Sequence, residues 1–283
     1  MIADVVDPHV HHWHPSVNDW YPMLADPAMS AIAHDYLAAD YRADTAGYPI
    51  SAIVHVSATS KPGAYLDEAR WLEDLASQTG WPAATVGAVD VDKPWPDMAA
   101  DLIEQAANPR LRGVRVLFGL DPASAVADGL VRWLEGRRLV FDAVAHPGEV
   151  AAYLRLLDAT PDLVVALEHA GWPDSGDDDH FAEWRRGLDA LAARPGTYCK
   201  ISGLAMTLHT LDAAVQRRWI EGCIEAFGPD RCMFGSNFPV DRMFGSFADL
   251  YSMYEQVTAD LPDKDLANLF SATARRVYGL GEA

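Results

Sequence analysis

The stretch Ile2-Ala3-Asp4-Val5-Val6-Asp7-Pro8-His9-Val10-His11 decides between the two α/β architectures that suit this chain. Its apolar, β-branched beginning predicts a first strand over Ile2–Asp7. A doubly wound open sheet usually has a glycine-rich phosphate-binding turn directly after such a strand. Asp7-Pro8-His9-Val10-His11 stands there instead and contains no glycine. The start of the sequence therefore favours a barrel over an open sheet.

Short apolar segments recur along the chain, and stretches with helical spacing of apolar residues lie between them. The predicted strands are Ile2–Asp7, Ser51–Val56, Ala84–Val89, Gly113–Phe118, Leu139–Val144, Leu163–Leu167, Tyr198–Ser202 and Cys232–Gly235. Most intervals suit one strand, one helix and two short loops. Eight such units without a break in composition predict an α/β fold, a single (β/α)₈ TIM barrel formed by residues 1–283 as one domain.

The first interval is longer than the others and carries an aromatic segment, Trp13 to Arg42. It contains Trp13, Trp20, Tyr21, Pro22, Tyr36 and Tyr41. We interpret it as a long aromatic loop after the first strand, folded over the barrel mouth. The alternative is that these rings only plug one end of the barrel.

The composition excludes several classes of function. The chain has 22 Lys and Arg against 41 Asp and Glu, a formal charge of −19. Such a protein is repelled by phosphate backbones and anionic lipid, so we expect neither nucleic acid nor a membrane as partner. Three cysteines without a CxxC pair suggest no disulfide framework. We expect a cytoplasmic protein that acts on a small-molecule substrate, with a homo-oligomer as an open alternative.

Polar residues stand at nearly every predicted strand end, which is where barrel enzymes carry their chemistry. They are His9, His11, His55, Asp90, Arg115, Asp142, His169, Lys200, Ser202 and Asn237. Such groups converge on one mouth in a barrel, and a barrel kept only for packing would not need them. This pattern predicts an active site.

His9-Val10-His11 is the most specific element of the predicted site. Residues i and i+2 of a strand face the same side, so both imidazoles can point into the barrel. Two neutral imidazoles on one strand, joined by His169 after the sixth strand, suggest a site for a divalent metal such as Zn²⁺. His169 could instead be the general base, and the pair could line a site without metal.

Arg115 and Lys200 are charges on otherwise apolar strands, which is costly unless each is paired or turned towards the mouth. A guanidinium can hold a substrate carboxylate with two hydrogen bonds. We therefore predict Arg115, Lys200, Ser202 and His55 as substrate-binding residues. The alternative for Arg115 is a structural ion pair with Asp142 or Asp90, and Lys200 and Ser202 pose the same choice.

Five segments together resemble the amidohydrolase superfamily, in particular the amidohydrolase-related branch of lactonases and decarboxylases. They are Asp7-Pro8-His9-Val10-His11-His12-Trp13, Arg112-Gly113-Val114-Arg115, Leu167-Glu168-His169-Ala170-Gly171-Trp172-Pro173, Lys200-Ile201-Ser202-Gly203-Leu204 and Arg231-Cys232-Met233-Phe234-Gly235-Ser236-Asn237-Phe238-Pro239-Val240-Asp241. They follow the order of the family and span nearly the whole chain. The resemblance implies a barrel enzyme that hydrolyses sugar or pyrone-type lactones, or decarboxylates or hydrates aromatic or muconate-like acids.

Two positions depart from this family. Relatives commonly end the eighth strand with an Asp that binds metal or activates water, whereas this chain has Asn237, and an amide takes up no proton at neutral pH. Ser57 stands where relatives often have a Glu after the second strand. Asp241, Asp142 and His169 are then the candidates for the base. A divalent metal and a metal-free site both stay open.

These residues predict a hydrolase that opens a lactone or similar cyclic ester with an activated water at the barrel mouth, and we expect that ring to carry a carboxylate. The predicted catalytic residues are His169, Asn237, Asp241 and Asp142, and the predicted metal ligands are His9, His11 and His169. A metal-dependent decarboxylase or hydratase is the first alternative. A barrel that binds a metabolite without chemistry is the second.

Overall fold

Eight parallel strands form the centre of the computed structural model, which describes residues 2–58 and 61–281. The strands are β1 (Val5–Val10), β2 (Ile50–Val56), β3 (Ala84–Ala88), β4 (Leu111–Val116), β5 (Val140–Ala143), β6 (Val165–Leu167), β7 (Thr197–Ile201) and β8 (Cys232–Phe234). Each pairs with the next strand of the chain. Backbone bonds from His11 to Phe238 (2.8 Å) and from Asn237 to His9 (2.9 Å) join β1 to the segment after β8. The predicted (β/α)₈ barrel is confirmed.

Helices follow the strands and cover the outside of the sheet. The α-helices are α1 (Ala38–Asp44), α2 (Tyr65–Thr79), α3 (Trp95–Gln105), α4 (Ala125–Arg137), α5 (Val150–Leu157), α6 (Asp178–Ala192), α7 (Leu204–Leu208), α8 (Ala213–Phe227), α9 (Phe247–Val257), α10 (Asp263–Ala267) and α11 (Thr273–Tyr278). One π-helical turn, Asn268–Ala272, joins α10 to α11. Within the described residues, no helix is long and apolar enough to cross a membrane.

Two apolar layers lie on the two faces of the sheet, as the alternation of strand residues requires. The inner layer fills the barrel and includes Val6, Val54, Val86, Val140, Ala166 and Met233. Ala274 and Tyr278 of α11 belong to this inner layer, so the last helix closes the amino-terminal end of the barrel. The outer layer lies between strands and helices and includes Ile53, Val114 and Phe141.

The first strand begins later than predicted, at Val5 instead of Ile2, and it extends to Val10. Its pairing with β2 is irregular between Asp7 and Val10. This irregularity changes the parity of the strand, so that Val6 and His9 can both face the barrel interior. The buried Asp7 carboxylate stabilises this part of the chain, because it accepts hydrogen bonds from the backbone of His9 (3.2 Å) and of Ser236 (2.9 Å).

The aromatic segment packs tightly against the end of the barrel. Trp13 forms a β-bridge with Tyr36, and both side chains are fully buried. The Trp13 ring lies parallel to the His11 ring, with centroids 6.3 Å apart. Part of the segment is helical, since α1 begins at Ala38. The rings therefore plug the barrel and also contact a residue of the predicted site.

Three cysteines that are far apart in the sequence come together beneath α8. Cys199 of β7, Cys223 of α8 and Cys232 of β8 are free thiols without solvent exposure. The Cys232 thiol donates to the backbone oxygen of Cys223 across 3.5 Å. They belong to the outer apolar layer and behave as small core residues.

Candidate active site

Three of the predicted histidines form one group at the carboxyl ends of β1 and β6. The ring centroid of His9 lies 4.9 Å from that of His11 and 4.6 Å from that of His169. All three side chains are buried. Oγ of Ser202, which follows β7, lies 3.0 Å from Nδ1 of His169 and orients that ring. The structure thus brings together four residues that the sequence predicted for the site.

Glu168 lies at the centre of this group, although the sequence analysis assigned it no role. One carboxylate oxygen is 3.5 Å from Nδ1 of His9 and the other is 3.9 Å from Nε2 of His169. Arg115 lies 3.2 Å and Lys200 3.5 Å from the same carboxylate. Its position in the sequence could have indicated this role. Ala166 faces the barrel interior, and residue 168, two positions later and directly after β6, faces the same side.

His9, Glu168 and His169 could together hold a metal ion. One ligand atom from each lies within 4.8 Å of the other two. Both ring nitrogens of His9 are buried and lack a hydrogen-bond partner among the described residues. Unpartnered buried imidazole beside a carboxylate is a fitting donor set for a divalent cation. The structure places Glu168 in this set, whereas the prediction had His11.

His11 is bound differently from the other two histidines. Its Nδ1 donates to the backbone oxygen of Val56 across 2.8 Å, so Nε2 of the neutral ring carries a lone pair. That nitrogen lies 3.3 Å from Oδ1 of Asn237. Two acceptors therefore face the same point, and a proton donor such as a water molecule there would be bound by both.

Burial keeps these imidazoles neutral. It lowers the pKa of His9 well below its usual value, with help from the neighbouring cations, and lowers the pKa of His11 to about 3 and that of His169 to about 4. Burial alone would raise the pKa of Glu168, but Arg115 and Lys200 outweigh it and lower that pKa. The site therefore combines neutral histidines with an ionised carboxylate.

Lys200 and Asp142 form an ion pair inside the barrel, next to Glu168. Both side chains have no solvent exposure. The hydroxyl of Tyr278 donates to the same Asp142 oxygen across 2.7 Å. The ammonium of Lys200 therefore contacts two carboxylates of the protein. The predicted binding of substrate charge by Lys200, and the predicted catalytic role of Asp142, stay predictions.

Asn237 and Asp241 form the remaining part of the site, after β8. Nδ2 of Asn237 donates to Oδ1 of Asp241 across 2.8 Å. Burial raises the pKa of Asp241 to about 7, although Asn237 opposes the shift. Oδ2 of Asp241 is buried and has no partner among the residues that the structure describes. A carboxyl group of this kind can both accept and release a proton at neutral pH.

The backbone is strained at two of these positions. His169 has φ of 51° and Asn237 has φ of 56°, in the left-handed region that non-glycine residues rarely adopt. Such conformations cost of order 1–3 kcal/mol each and persist where the surroundings impose them. Gly203, at φ 63°, makes room for His169, because a Cβ there would lie 2.5 Å from the His169 ring.

A cavity of about 250 Å³ opens beside Arg115, at the ends of β2 to β4. Arg115 is 4% exposed, and its guanidinium also donates to the backbone oxygen of Ser57. Apolar side chains supply most of the lining, and the polar residues include Ser57, Asp90 and Arg115. Arg115 therefore lies between this cavity and Glu168. Its ion-pair partner is Glu168, and the guanidinium forms no ion pair with Asp142, its neighbour on β5, or with Asp90.

His55 lies beside His11, with ring centroids 6.3 Å apart, but on the outer face of β2. Alternation along β2 places it on the opposite face from Val54 and Val56, which line the barrel interior. Its Nε2 lies 3.3 Å from the backbone oxygen of His12, and the two rings are 5.9 Å apart. His55 does not line the cavity beside Arg115, and its predicted substrate-binding role stays a prediction.

Known proteins resemble this chain along its whole length. A curated L-fucono-1,5-lactonase from Burkholderia multivorans is 30% identical over 98% of this chain and 96% of its own length. An uncharacterised protein, y4mH of Sinorhizobium fredii, is 31% identical over 97% of this chain and 98% of its own length. A crystal structure of an amidohydrolase from Burkholderia multivorans with bound zinc superposes with a TM-score of 0.84, at 28% identity, and covers 99% of this chain and all of that one.

The family model for amidohydrolases matches residues 6–280. The matched range begins within β1 and ends after α11, so it spans the barrel and every residue of the cluster around Glu168. This agrees with the resemblance seen in the sequence and favours an enzyme over the metabolite-binding alternative. The chain belongs to the amidohydrolase family and is an enzyme of that superfamily.

Proposed function

We propose that this enzyme hydrolyses a lactone, with a water molecule attacking the ring carbonyl at the barrel mouth. The observation that carries the proposal is the group of neutral His9 and His169 around ionised Glu168, within 5 Å of one another, beside the unpartnered carboxylate of Asp241. Two curated relatives named L-fucono-1,5-lactonase, at 30% and 29% identity, support the choice of a cyclic ester.

His11 and Asn237 orient the attacking water. The lone pair of His11 Nε2 and Oδ1 of Asn237 share one of its protons, which leaves the second proton for Asp241 and the oxygen lone pair for the attack. Holding the nucleophile in this geometry removes much of the entropic part of the barrier. This gives Asn237 a role that an amide can fulfil, although it cannot take the proton itself.

Asp241 is the base that takes the proton from this water. Its pKa of about 7 places it close to the working pH, where a general base is most effective. Its contact with Asn237 keeps it next to the water position. Protonated Asp241 then returns this proton to the leaving ring oxygen, while Ser202 holds the ring of His169 in place.

His9, Glu168 and His169 would hold a divalent cation, for which zinc is our proposal. The zinc bound in the related amidohydrolase structure supports this choice. When bound, such a cation supplies Lewis-acid polarisation of the lactone carbonyl. Arg115 and Lys200 offset the charge of Glu168 and fix its position.

The ring carries a carboxylate in our proposal, and Arg115 is its partner in the cavity. Two of the guanidinium nitrogens already donate to Glu168 and Ser57, and a guanidinium has five N–H groups in total. The apolar walls of the cavity suit the body of the ring. Asp90 would oppose a carboxylate placed towards β3, which restricts the substituent to the side of Arg115.

Paired lactones test this proposal. The enzyme with one equivalent of zinc is assayed on δ-valerolactone, on a polyhydroxylated sugar lactone and on pyrone or valerolactone rings with a carboxylate. We expect hydrolysis of all cyclic esters, with kcat/KM about tenfold higher for the carboxylated member of a pair, since one charge-assisted contact is worth that much. An enzyme that opens no ring but releases CO₂ from carboxylated rings would support the decarboxylase alternative instead.

A further inference from the structure

The amino-terminal end of the barrel is closed by a tyrosine that reaches the charged residues of the site. Tyr278 lies on α11, its side chain has no solvent exposure, and its ring packs with Val6 and Met233 of the inner layer. Burial raises the pKa of its phenol well above the usual value, so the hydroxyl remains a donor. A phenylalanine would fill the same apolar space, which leaves the hydroxyl to be explained.

A continuous chain of polar contacts leads from this hydroxyl to the proposed metal ligands. Tyr278 donates to Asp142 across 2.7 Å, and the same carboxylate oxygen accepts a hydrogen bond from Lys200. Nζ of Lys200 lies 3.5 Å from Oε1 of Glu168, and that oxygen lies 3.5 Å from Nδ1 of His9. Every member is fully buried. In such surroundings each contact is stronger than at the surface.

Lys200 is shared unequally between two carboxylates. It is closer to Asp142 than to Glu168. The hydroxyl of Tyr278 donates one hydrogen bond to the Asp142 carboxylate, so Asp142 attracts Lys200 less strongly. Lys200 can then offset more of the charge on Glu168. Without that hydroxyl, Asp142 would draw the ammonium towards itself and away from Glu168.

We propose that Tyr278 is a positioning residue of the active site, which sets through Asp142 how strongly Lys200 offsets the charge of Glu168. The inference rests on the proposed function for its effect on turnover, whereas its effect on metal affinity does not depend on the substrate. Outer residues of this kind change metal affinity or activity by roughly 10- to 100-fold when they are altered around metal sites.

Tyr278→Phe removes only the hydroxyl and keeps the ring, including its contact with the Lys200 ammonium 5.2 Å from the ring centroid. Tyr36→Phe is the matched control, because its buried phenol donates to the carboxylate of Asp44 across 2.8 Å, away from this network. For both variants and the wild type we would measure the Kd for Zn²⁺ by competition with a chelator, then kcat and KM on a lactone, and Tm.

We expect Tyr278→Phe to bind zinc about tenfold more tightly, because Glu168 keeps more of its charge, and to lose about tenfold in kcat with an unchanged KM. Tyr36→Phe should lower Tm by about as much as Tyr278→Phe does, and should leave the Kd for Zn²⁺, kcat and KM unchanged. A purely structural role for Tyr278 would weaken zinc binding or leave it unchanged, and either result would overturn the proposal.

Asp142→Asn provides a second test with the opposite sign. Lys200 then loses its anionic partner and turns to Glu168, so zinc should bind about tenfold more weakly. Equal shifts in the same direction for both variants would contradict the proposed sharing of Lys200. If the wild type opens no lactone, the proposed function fails. The Kd values for Zn²⁺ of Tyr278→Phe and Asp142→Asn still decide the role of Tyr278 in that case. A wild type that neither binds zinc nor opens a lactone overturns both.

Discussion

Nδ2 of Asn237 donates to Oδ1 of Asp241 across 2.8 Å, and this contact couples the amide that follows the eighth strand to a carboxylate four residues later. The second oxygen of Asp241 is left without a partner among the described residues. The pair therefore separates two tasks that one Asp could perform alone. In the proposed mechanism, the amide orients the attacking water and the carboxylate accepts its proton.

Asp241→Asn should remove this base and raise stability at the same time. We expect kcat to fall by about 100-fold or more, the usual contribution of a general base. The wild-type rate should rise with pH up to about 7, the pKa of Asp241, and then level off. A variant that keeps its rate and the same pH profile would exclude Asp241 as the base.

The effect of Asp241→Asn on stability follows from the direction in which folding shifts the pKa of Asp241. Asp241 ionises near pH 7 in the folded protein but near 3.8 when unfolded, so between these values rising pH favours the unfolded state. Each pKa unit is worth about 1.4 kcal/mol. Asp241→Asn should therefore exceed the wild type in free energy of unfolding at pH 8, and by less at pH 5, in urea titrations.

Glu168→Gln should destabilise the fold strongly. It leaves Arg115 and Lys200 without their shared buried partner, and loss of one member of a buried ion pair costs about 3–5 kcal/mol. Glu104→Gln, which breaks the exposed pair with Arg70, should cost about 1 kcal/mol or less. Equal losses in denaturant unfolding would show that Glu168 is not the centre of the network.

Ser202→Ala should impair turnover without disturbing the fold. The hydroxyl 3.0 Å from Nδ1 fixes the ring of His169, and loss of such an orienting contact lowers activity by roughly tenfold or more. We expect the effect in kcat and not in KM. Ser51→Ala, at the start of β2 and outside the site, serves as the control and should retain full activity.

Gly203→Ala should inactivate the enzyme, because the added Cβ would lie 2.5 Å from the His169 ring and the residue sits at φ 63°. Gly136→Ala is the matched control on α4, where nothing lies within 4 Å of the added carbon. There the helix should gain about 0.5–1 kcal/mol. Gly203→Ala should thus lose activity and Tm, whereas Gly136→Ala should gain Tm and keep its activity. An active Gly203→Ala would contradict the packing around His169.

Strand periodicity was sufficient to predict the barrel, since all eight strands lie where the apolar segments are. It was less informative about the direction of side chains. The irregular pairing of β1 changes which residues face inwards, and His55 was assigned to the site without knowledge of which face of β2 lines the barrel. Glu168 was quoted within its motif, yet its role depends on contacts with Arg115 and Lys200 from other strands.

Tyr278 was beyond sequence reasoning altogether. Its partner Asp142 lies 136 residues earlier, and no local pattern marks a tyrosine of α11 as part of a site at the opposite end of the barrel. A contact between residues this far apart in the sequence forms only when the whole barrel closes. The same holds for the three cysteines, whose spacing gives no sign that their thiols meet.

The closure of the barrel by α11 has a consequence for the order of assembly during translation. All eight strands have emerged from the ribosome before Tyr278 is synthesised, so a nascent barrel can pair its strands while Asp142 and Lys200 still face an open, hydrated end. Docking of α11 then expels that water and strengthens the internal charge pairs. Catalytic competence should accordingly appear later in synthesis than compactness does, as a final and separate step of maturation.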